Sequence, residues 1–553
     1  MRPLGAPQGD GMRGRALWAL LGVMGIVFAL AACSRAGTGP GVGTAAVRFA
    51  IAADPSNLNP LFMHPDSASV EAQLARLSFE PFVDMDASGR LIPVLLAEIP
   101  TRANGGISHD GRTITYHLRH LRWSDGVPLT SADVLWTLHA ILDPRNPVRS
   151  HVGYDRIVSA TAPNATTVIL HLKSAWAPAI TSFFSYGTSP QVVLPAHILQ
   201  SQAPLERAAF NADPNVVDGP YRLVFWHRGD ALRYEANPLF AFGRVRSAQL
   251  DVTIIPDPNT NFTLLTAGQL DWNLIAPSQR VSVEQHRWLS IDTVPTSVVA
   301  GLSMNVRSPI LRDARIRRAI AMSIDRNAIS QKITLGAYRV TNQVQPQFSW
   351  AYDANIMQPG FHPHKADQAF DAAGYRRGRD GMRRDASGKI LHLAYVSFPE
   401  SSTGVRIATF VQAALAARGV SVTVKSVSNA QLFLPVDGVL ASGHYDLAYV
   451  VWTMGADPDD SAIYRCGASE NFMHWCNPKI GTLEDRALND TEQSSRRADY
   501  AKIATIVAHD VPVLWLFNAQ YLYAHRSDLH GFAPNAFLPT WNANAWYKTR
   551  PSQ

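Results

Sequence analysis

The chain has only three cysteines in 553 residues. That is too few for a disulfide framework and leaves room for one bridge plus one thiol with another job. There is no Gly-x-x-x-x-Gly-Lys-Ser/Thr phosphate loop, so the chain itself is not read as an ATPase. A Gly-x-Ser-x-Gly elbow, a His-Glu-x-x-His pair and a Cys-x-x-Cys motif are also missing, which removes the short-motif arguments for a hydrolase, a zinc enzyme or a thiol redox protein. The histidines are scattered, and the closest pair, His362 and His364, lacks a third ligand. No metal, cofactor or catalytic residue is therefore expected. Charged residues make up 17% of the chain and leave a formal charge of +6, mildly basic over a large surface and no argument for nucleic acid. Glycine and proline, 36 of each, are near average usage, so no low-complexity tract dominates. Long apolar runs are absent except at the amino terminus, so no later membrane span is expected.

What is present begins with that run. Arg2, Arg13 and Arg15 precede the apolar stretch Ala16–Ala32, the layout of a secretory signal. It ends in Leu30-Ala31-Ala32-Cys33, which resembles the lipobox of bacterial lipoproteins. The resemblance implies removal of residues 1–32 and a lipid on the Cys33 sulfur, an anchor that needs no membrane span. The alternative is an uncleaved signal anchor with a chance cysteine. Residues 33–45, rich in glycine, read as a lipidated start and flexible tether.

The remaining chain mixes strands and helices without a fixed repeat, the pattern of an α/β architecture. Thr113–His120 alternates, with Ile114, Tyr116 and Leu118 on one face, and reads as a half-buried strand. Thr130-Ser131-Ala132-Asp133 has the form of a capping box, followed by Val134, Leu135, Leu138, Ile141 and Leu142 at helical spacing and stopped by Pro144. Tyr221–His227 and Ala231–Glu235 read as a hairpin around Arg228-Gly229-Asp230. Farther on, strand Leu391–Val396, a helical stripe of Val405, Ala408, Val411 and Leu415, and alternating Val420, Val422 and Val424 form one β-α-β unit. Tyr445–Trp452 reads as another buried strand. The arginines 376, 377, 379, 383 and 384 around Gly378 and Gly381 read as a solvated turn.

Several motifs stand in an order that resembles one family. Leu118-Arg119-His120-Leu121-Arg122-Trp123-Ser124-Asp125-Gly126-Val127-Pro128-Leu129-Thr130-Ser131-Ala132-Asp133-Val134 resembles the signature of family 5 extracellular solute-binding proteins, the oligopeptide and dipeptide receptors of ABC importers. Asn57-Leu58-Asn59-Pro60, Asp218-Gly219-Pro220-Tyr221, Ser303-Met304-Asn305 with Pro309, Asp313 to Ile320, Ile324-Asp325-Arg326 and Gly336 match its later landmarks in series. The resemblance implies a two-lobed periplasmic-binding-protein-like fold of the class II type, in its large cluster with an extra subdomain. A hinge joins the lobes. It also implies one lobe from 46–300, a second from 301–518 and a return to the first in 519–553, with crossings near Val298–Ser303 and Phe517–Tyr521. The C-terminal strip holding Trp541 and Trp546 then joins the first lobe. Function follows as expectation: a monomeric receptor that captures a peptide or other small solute and delivers it to membrane permease subunits, without catalysis. A receptor for a sugar, metal chelate or haem is the alternative, and an exported envelope hydrolase the contrasting class.

In peptide-binding relatives a strand ends in Trp with an Asp three positions on, which pairs with the peptide ammonium. Here Trp452 is followed by Thr453-Met454-Gly455-Ala456-Asp457-Pro458, with glycine at the third position. Trp452, Met454, Gly455 and Asp457 are thus ligand candidates, with Asp457 a replacement for the missing acid. Phe348, Trp350 and Tyr352, in a loop the family places at the cleft, offer rigid aromatic contact area; Tyr464 and Asn57 join them. The resemblance also implies a disulfide between Cys466 and Cys476 in an exported protein.

Overall fold

The computed structural model describes residues 45–64, 68–186 and 191–549. The lipidation candidate Cys33 lies outside them. Among the described residues the largest sheet has ten strands. Across it they run Ser421–Ser426, His392–Ser397, Leu447–Thr453, Leu289–Met304, Val513–Arg526, Trp272–Ile275, Val47–Ile51, Gln249–Ile254, Ala231–Ala236 and Tyr221–His227.

Two long antiparallel strands, Leu289–Met304 and Val513–Arg526, occupy the middle of this order. Their ladder breaks register between Pro295 and Val299 and again between Ala300 and Gly301. Pro295 has no N–H to give to a ladder. At Gly301 an added Cβ would come within 2.6 Å of a Val513 methyl and press on the Trp515 ring, so the strands approach here as only glycine permits. Side chains replace the missing ladder bonds. The buried Asn518 amide donates to the carbonyls of Thr296 and Val298, both at 2.8 Å, and the Thr296 hydroxyl donates to the Ala519 carbonyl at 3.0 Å.

Apolar cores lie on either side of this seam. One gathers side chains between residues 61 and 217, with Leu538. Another joins Phe49, Trp272, Tyr523 and Trp546, so the first strand and the last residues share a core. Phe49 stacks on Trp272 at 4.8 Å, and Trp546 meets Trp272 edge-on at 5.7 Å. Trp541 packs against the first of these cores. Beyond the seam, residues between 299 and 517 form two further clusters.

Local expectations are met where the signal is local. Ile114, Tyr116 and Leu118 are buried on strand Thr113–His117 and just past it. Trp123 is fully buried, and Gly126, at φ +90°, turns the chain so that its N–H reaches the Trp123 carbonyl at 2.9 Å. Thr130 caps helix Ser131–Leu142, and the Asp133 carboxylate accepts the Thr130 N–H at 2.8 Å. The hairpin turns at Gly229, whose φ is +72°, and the β-α-β strands His392–Ser397 and Ser421–Ser426 pair in parallel.

Two expectations are corrected. Val405 is exposed, because helix Ser402–Ala416 buries Gly404, Ile407, Ala408, Val411 and Leu415 instead. Gly404 lets the helix come so near Tyr449 that a Cβ would sit 2.9 Å from its ring, which turns Val405 outward. Arg383 departs from the solvated turn. It is 1% exposed, with its guanidinium on Asp371 at 2.6 Å, Asp367 at 2.7 Å and the Arg418 carbonyl at 2.7 Å. With the Tyr375 carbonyl, also at 2.7 Å, four acceptors satisfy the buried charge.

Candidate functional site

Two cavities hold sequence candidates, and the first opens beside the seam. The first encloses about 790 Å³, the size of a small-molecule site. Its walls come from segments far apart in sequence: Ala50–Ala52 at the end of the first strand, Ser69, Val70 and Gln73 on helix Ala68–Ser78, Arg149, Tyr186, Trp272–Leu274, and Phe537–Pro539. The central strands add Ser297, Val298, Tyr521 and Tyr523. Tyr521 and Tyr523 reach the same cavity because side chains two apart share a face of a strand. Burial raises the pKa of both phenols, so they stand as neutral hydrogen-bonding groups. Thr453 and Met454 close the wall where strand Leu447–Thr453 ends, and the Met454 N–H donates to the Ser297 carbonyl at 2.9 Å.

The second cavity, about 680 Å³, is lined by Gly89–Leu91, Ile99–Ala103, Trp176, Trp350, Ala456, Asp457, Thr491–Gln493 and Arg496, among others. Asp457 takes the Arg496 guanidinium in two parallel hydrogen bonds, at 2.8 and 2.6 Å. The same guanidinium lies over the Trp350 ring, 5.2 Å from its centre, and reaches the Tyr500 hydroxyl at 3.3 Å. Burial outweighs the Arg496 charge and raises the pKa of Asp457. Beneath this wall lies a second buried acidic group. Gln345 donates to the Pro458 carbonyl at 2.8 Å and to Asp460 at 3.3 Å, while Arg465 meets Glu484 at 3.0 Å. Burial pushes Glu484 up to about 8 against the pull of Arg465, and Asp460 stands well above the usual carboxylate range for the same cause.

The sequence candidates divide between these places. Met454 lines the first cavity; Asp457 and Trp350 line the second, and Gly455 is the residue between Met454 and Ala456 that leads from one to the other. Phe348 packs on Gly89 of the second cavity and meets Phe537 of the first edge-on at 5.5 Å. Trp452 is 2% exposed and lies in the core, 5.2 Å from Trp515 and 6.1 Å from Phe472. Tyr464 is buried in the same cluster, and Tyr352, half-buried, lines neither cavity. Asn57 serves its own turn, donating to the Phe62 carbonyl at 2.6 Å and accepting the Asn59 N–H at 3.0 Å, beside a separate depression with Arg228. Cys466 and Cys476 are joined in a disulfide.

Sequence reasoning missed most of the first cavity. Gln73, Arg149, Tyr186, Asn273, Tyr521 and Tyr523 carry no motif. The alternation of Tyr521 and Tyr523 in a strand expected near the crossing was the one available signal.

Residues 92–473 match the family model described as bacterial extracellular solute-binding proteins, family 5 Middle. Protein XP55 of Streptomyces lividans is 27% identical over 487 residues, covering 86% of this chain and 84% of that protein. The oligopeptide-binding protein AppA of Bacillus subtilis is 23% identical over 503 residues, covering 89% of this chain and 90% of its own. Among solved structures, NikZ from Campylobacter jejuni in complex with Ni(L-His) superposes with a TM-score of 0.72 at 22% identity, over 91% of this chain and 99% of that one. The likeness shows the fold, a two-lobed α/β architecture. Among the described residues no helix is long and apolar enough to cross a membrane.

Proposed function

The chain belongs to the bacterial extracellular solute-binding proteins of family 5, and from that premise we propose that it is the substrate-binding component of an ABC import system, taking up peptides. The carrying observation is the first cavity, about 790 Å³ in volume and walled by both central strands and by segments from both sides of the seam. The AppA relative, an oligopeptide-binding protein, supports peptide as the solute class. Capture proceeds by lobe closure, followed by delivery to a membrane permease and no chemistry on the solute.

The lobes of this reading are 46–300 with 519–553, and 301–518. The hinge lies at the register breaks near Pro295–Gly301 and at Asn518, where side-chain bonds stand in for ladder bonds. Met454, Gly455, Trp350, Phe348 and Asp457 sit along the path the solute follows, with Trp452 and Tyr464 supporting it from the core. Asn57 and Tyr352 complete the candidate set from outside the two cavities. Cys33 carries the lipid anchor, and the receptor works as a monomer. Mass spectrometry of the amino-terminal peptide tests the anchor: a diacylglyceryl mass on Cys33 is expected, and an intact Met1 start refutes it.

A second reading is a receptor for a non-peptide solute. It is favoured by Asp457, whose carboxylate is already engaged by Arg496 and not free to take a peptide ammonium. Thermal denaturation against di- to pentapeptides, sugars, haem and nickel–histidine separates the two. A peptide held at 100 times its dissociation constant stabilises the fold by about 2.7 kcal/mol. Stabilisation by non-peptide solutes alone overturns the peptide reading.

A further inference from the structure

The charged side chains lining the two cavities bear on what part of a solute each can hold. Among the described residues the first cavity has one ionised side chain in its lining, Arg149; the rest of the described wall is apolar, aromatic or neutral polar. Arg149 is exposed, and among the described residues its guanidinium makes no ion pair or hydrogen bond. In the second cavity Asp457 is closed on Arg496, Arg90 is turned to Asp86 at 3.1 Å, and Arg102 is half-buried with its Nε unpartnered among the described residues, so that wall too offers cations and no free buried acid. Its remaining acid, Glu492, is exposed at the start of helix Gln493–Asp510. No described residue therefore presents a free buried carboxylate to either cavity. An ammonium group drawn out of water needs such a partner. A guanidinium, by contrast, is shaped to take a carboxylate through two parallel hydrogen bonds.

We propose that Arg149 is the specificity-determining residue of the first cavity, selecting solutes by a carboxylate and leaving the α-ammonium unrecognised. Tyr521, Tyr523, Trp272 and Phe537 then contact the body of the solute while Arg149 fixes its anionic end. The solute class is a short peptide acid, free or blocked at its amino end. This inference rests on the solute-binding reading above and deepens it.

The test uses calorimetric titration of the full chain with Ala-Phe-Ala, its N-acetyl form and its C-terminal amide. The N-acetyl peptide should bind within about threefold of the free peptide, and the amide about tenfold to a hundredfold more weakly, as loss of a charge-assisted contact requires. Arg149→Gln should weaken both acids to the level of the amide and leave the amide unchanged, and Arg149→Lys should restore part of the contrast. Unchanged melting of both variants without ligand separates this from a folding defect. Asp66, which lies outside the described residues, is the control: Asp66→Asn should preserve the contrast. Equal binding of acid and amide, loss of binding on acetylation, or a contrast that survives Arg149→Gln overturns the proposal. Nickel–histidine, which also carries carboxylates, is titrated in parallel. If it binds and no peptide does, the peptide reading fails, and its response to Arg149→Gln decides this one: weakening sustains it, indifference overturns it. No binding by any of these probes overturns it as well.

Discussion

The first cavity and the second are of similar size, yet among the described residues only the second holds a closed ion pair in its wall. In the second, Asp457 and Arg496 satisfy each other, with Trp350 and Tyr500 packed on the guanidinium. In the first, neutral polar groups and Arg149 stand open on the wall. A charge that already has its partner holds the fold; a polar group without one is available to a solute. Aspartate beside a strand end is thus no guide to function until its partner is known.

The largest expected effect tests the structural side of this contrast. Asp457→Ala leaves Arg496 buried without a counter-charge and should cost about 3–5 kcal/mol in urea denaturation. Replacing the pair together, as Asp457→Leu with Arg496→Met, should recover most of that. A loss below about 1 kcal/mol for the single change would place Asp457 with the ligand-facing groups instead. Next comes the disulfide near that wall: Cys466→Ser with Cys476→Ser should lower stability by about 3 kcal/mol, read from the same denaturation.

An effect smaller per unit of pH comes from a buried acid. Glu484 is pushed up to about 8 by burial, so the folded state holds a proton that the unfolded state releases at ordinary carboxylate pH. Its contribution is fully present below about pH 4.5 and is lost as pH rises toward 8, with a slope of at most about 1.4 kcal/mol per pH unit. Denaturation midpoints between pH 5 and 8.5 should fall with pH in the native protein and fall less steeply in Glu484→Gln, where Asp460 still holds its raised pKa. The smallest expected change in stability is in the first cavity. Gln73→Ala should alter stability by no more than about 0.5 kcal/mol while weakening peptide binding several-fold. An unaltered affinity would show that the neutral wall is not where the solute sits.

What was legible in the sequence follows the range of each interaction. The Thr130 capping box, the Gly229 hairpin and the parallel β-α-β unit are written within a few residues, and they appear as read. The family signature around Trp123 marks buried scaffold, so it reported the fold and said nothing of the cavity. Trp452 and Thr453 show why one position matters: neighbouring side chains on a strand face opposite ways, so the tryptophan joins Trp515 in the core while Thr453 lines the cavity. The pairing of Asp457 with Arg496 spans 39 positions, and Arg149 and Tyr523 come to line one cavity only through the fold. No local pattern encodes such encounters. Val405 failed for a subtler cause, because helical spacing gives a stripe but the small residue beside it decides which way the helix turns.

The strand Val513–Arg526 lies between Leu289–Met304 and Trp272–Ile275 and pairs with both. It therefore joins the halves of the sheet with residues made after every other strand of that sheet. The core containing Phe49 waits for Tyr523, Phe532 and Trp546, close to 500 positions later. Contacts of such sequence separation carry a large closure entropy and form slowly. The order of synthesis thus opposes the order of assembly. A chain stopped at Pro512 has every residue of the β-α-β unit and most of the first cavity, yet lacks the second of the two central strands that holds them together. Neither half is a separable module, and the sheet stays unfinished until the strand Val513–Arg526 is made, a state suited to threading through a translocation pore before folding.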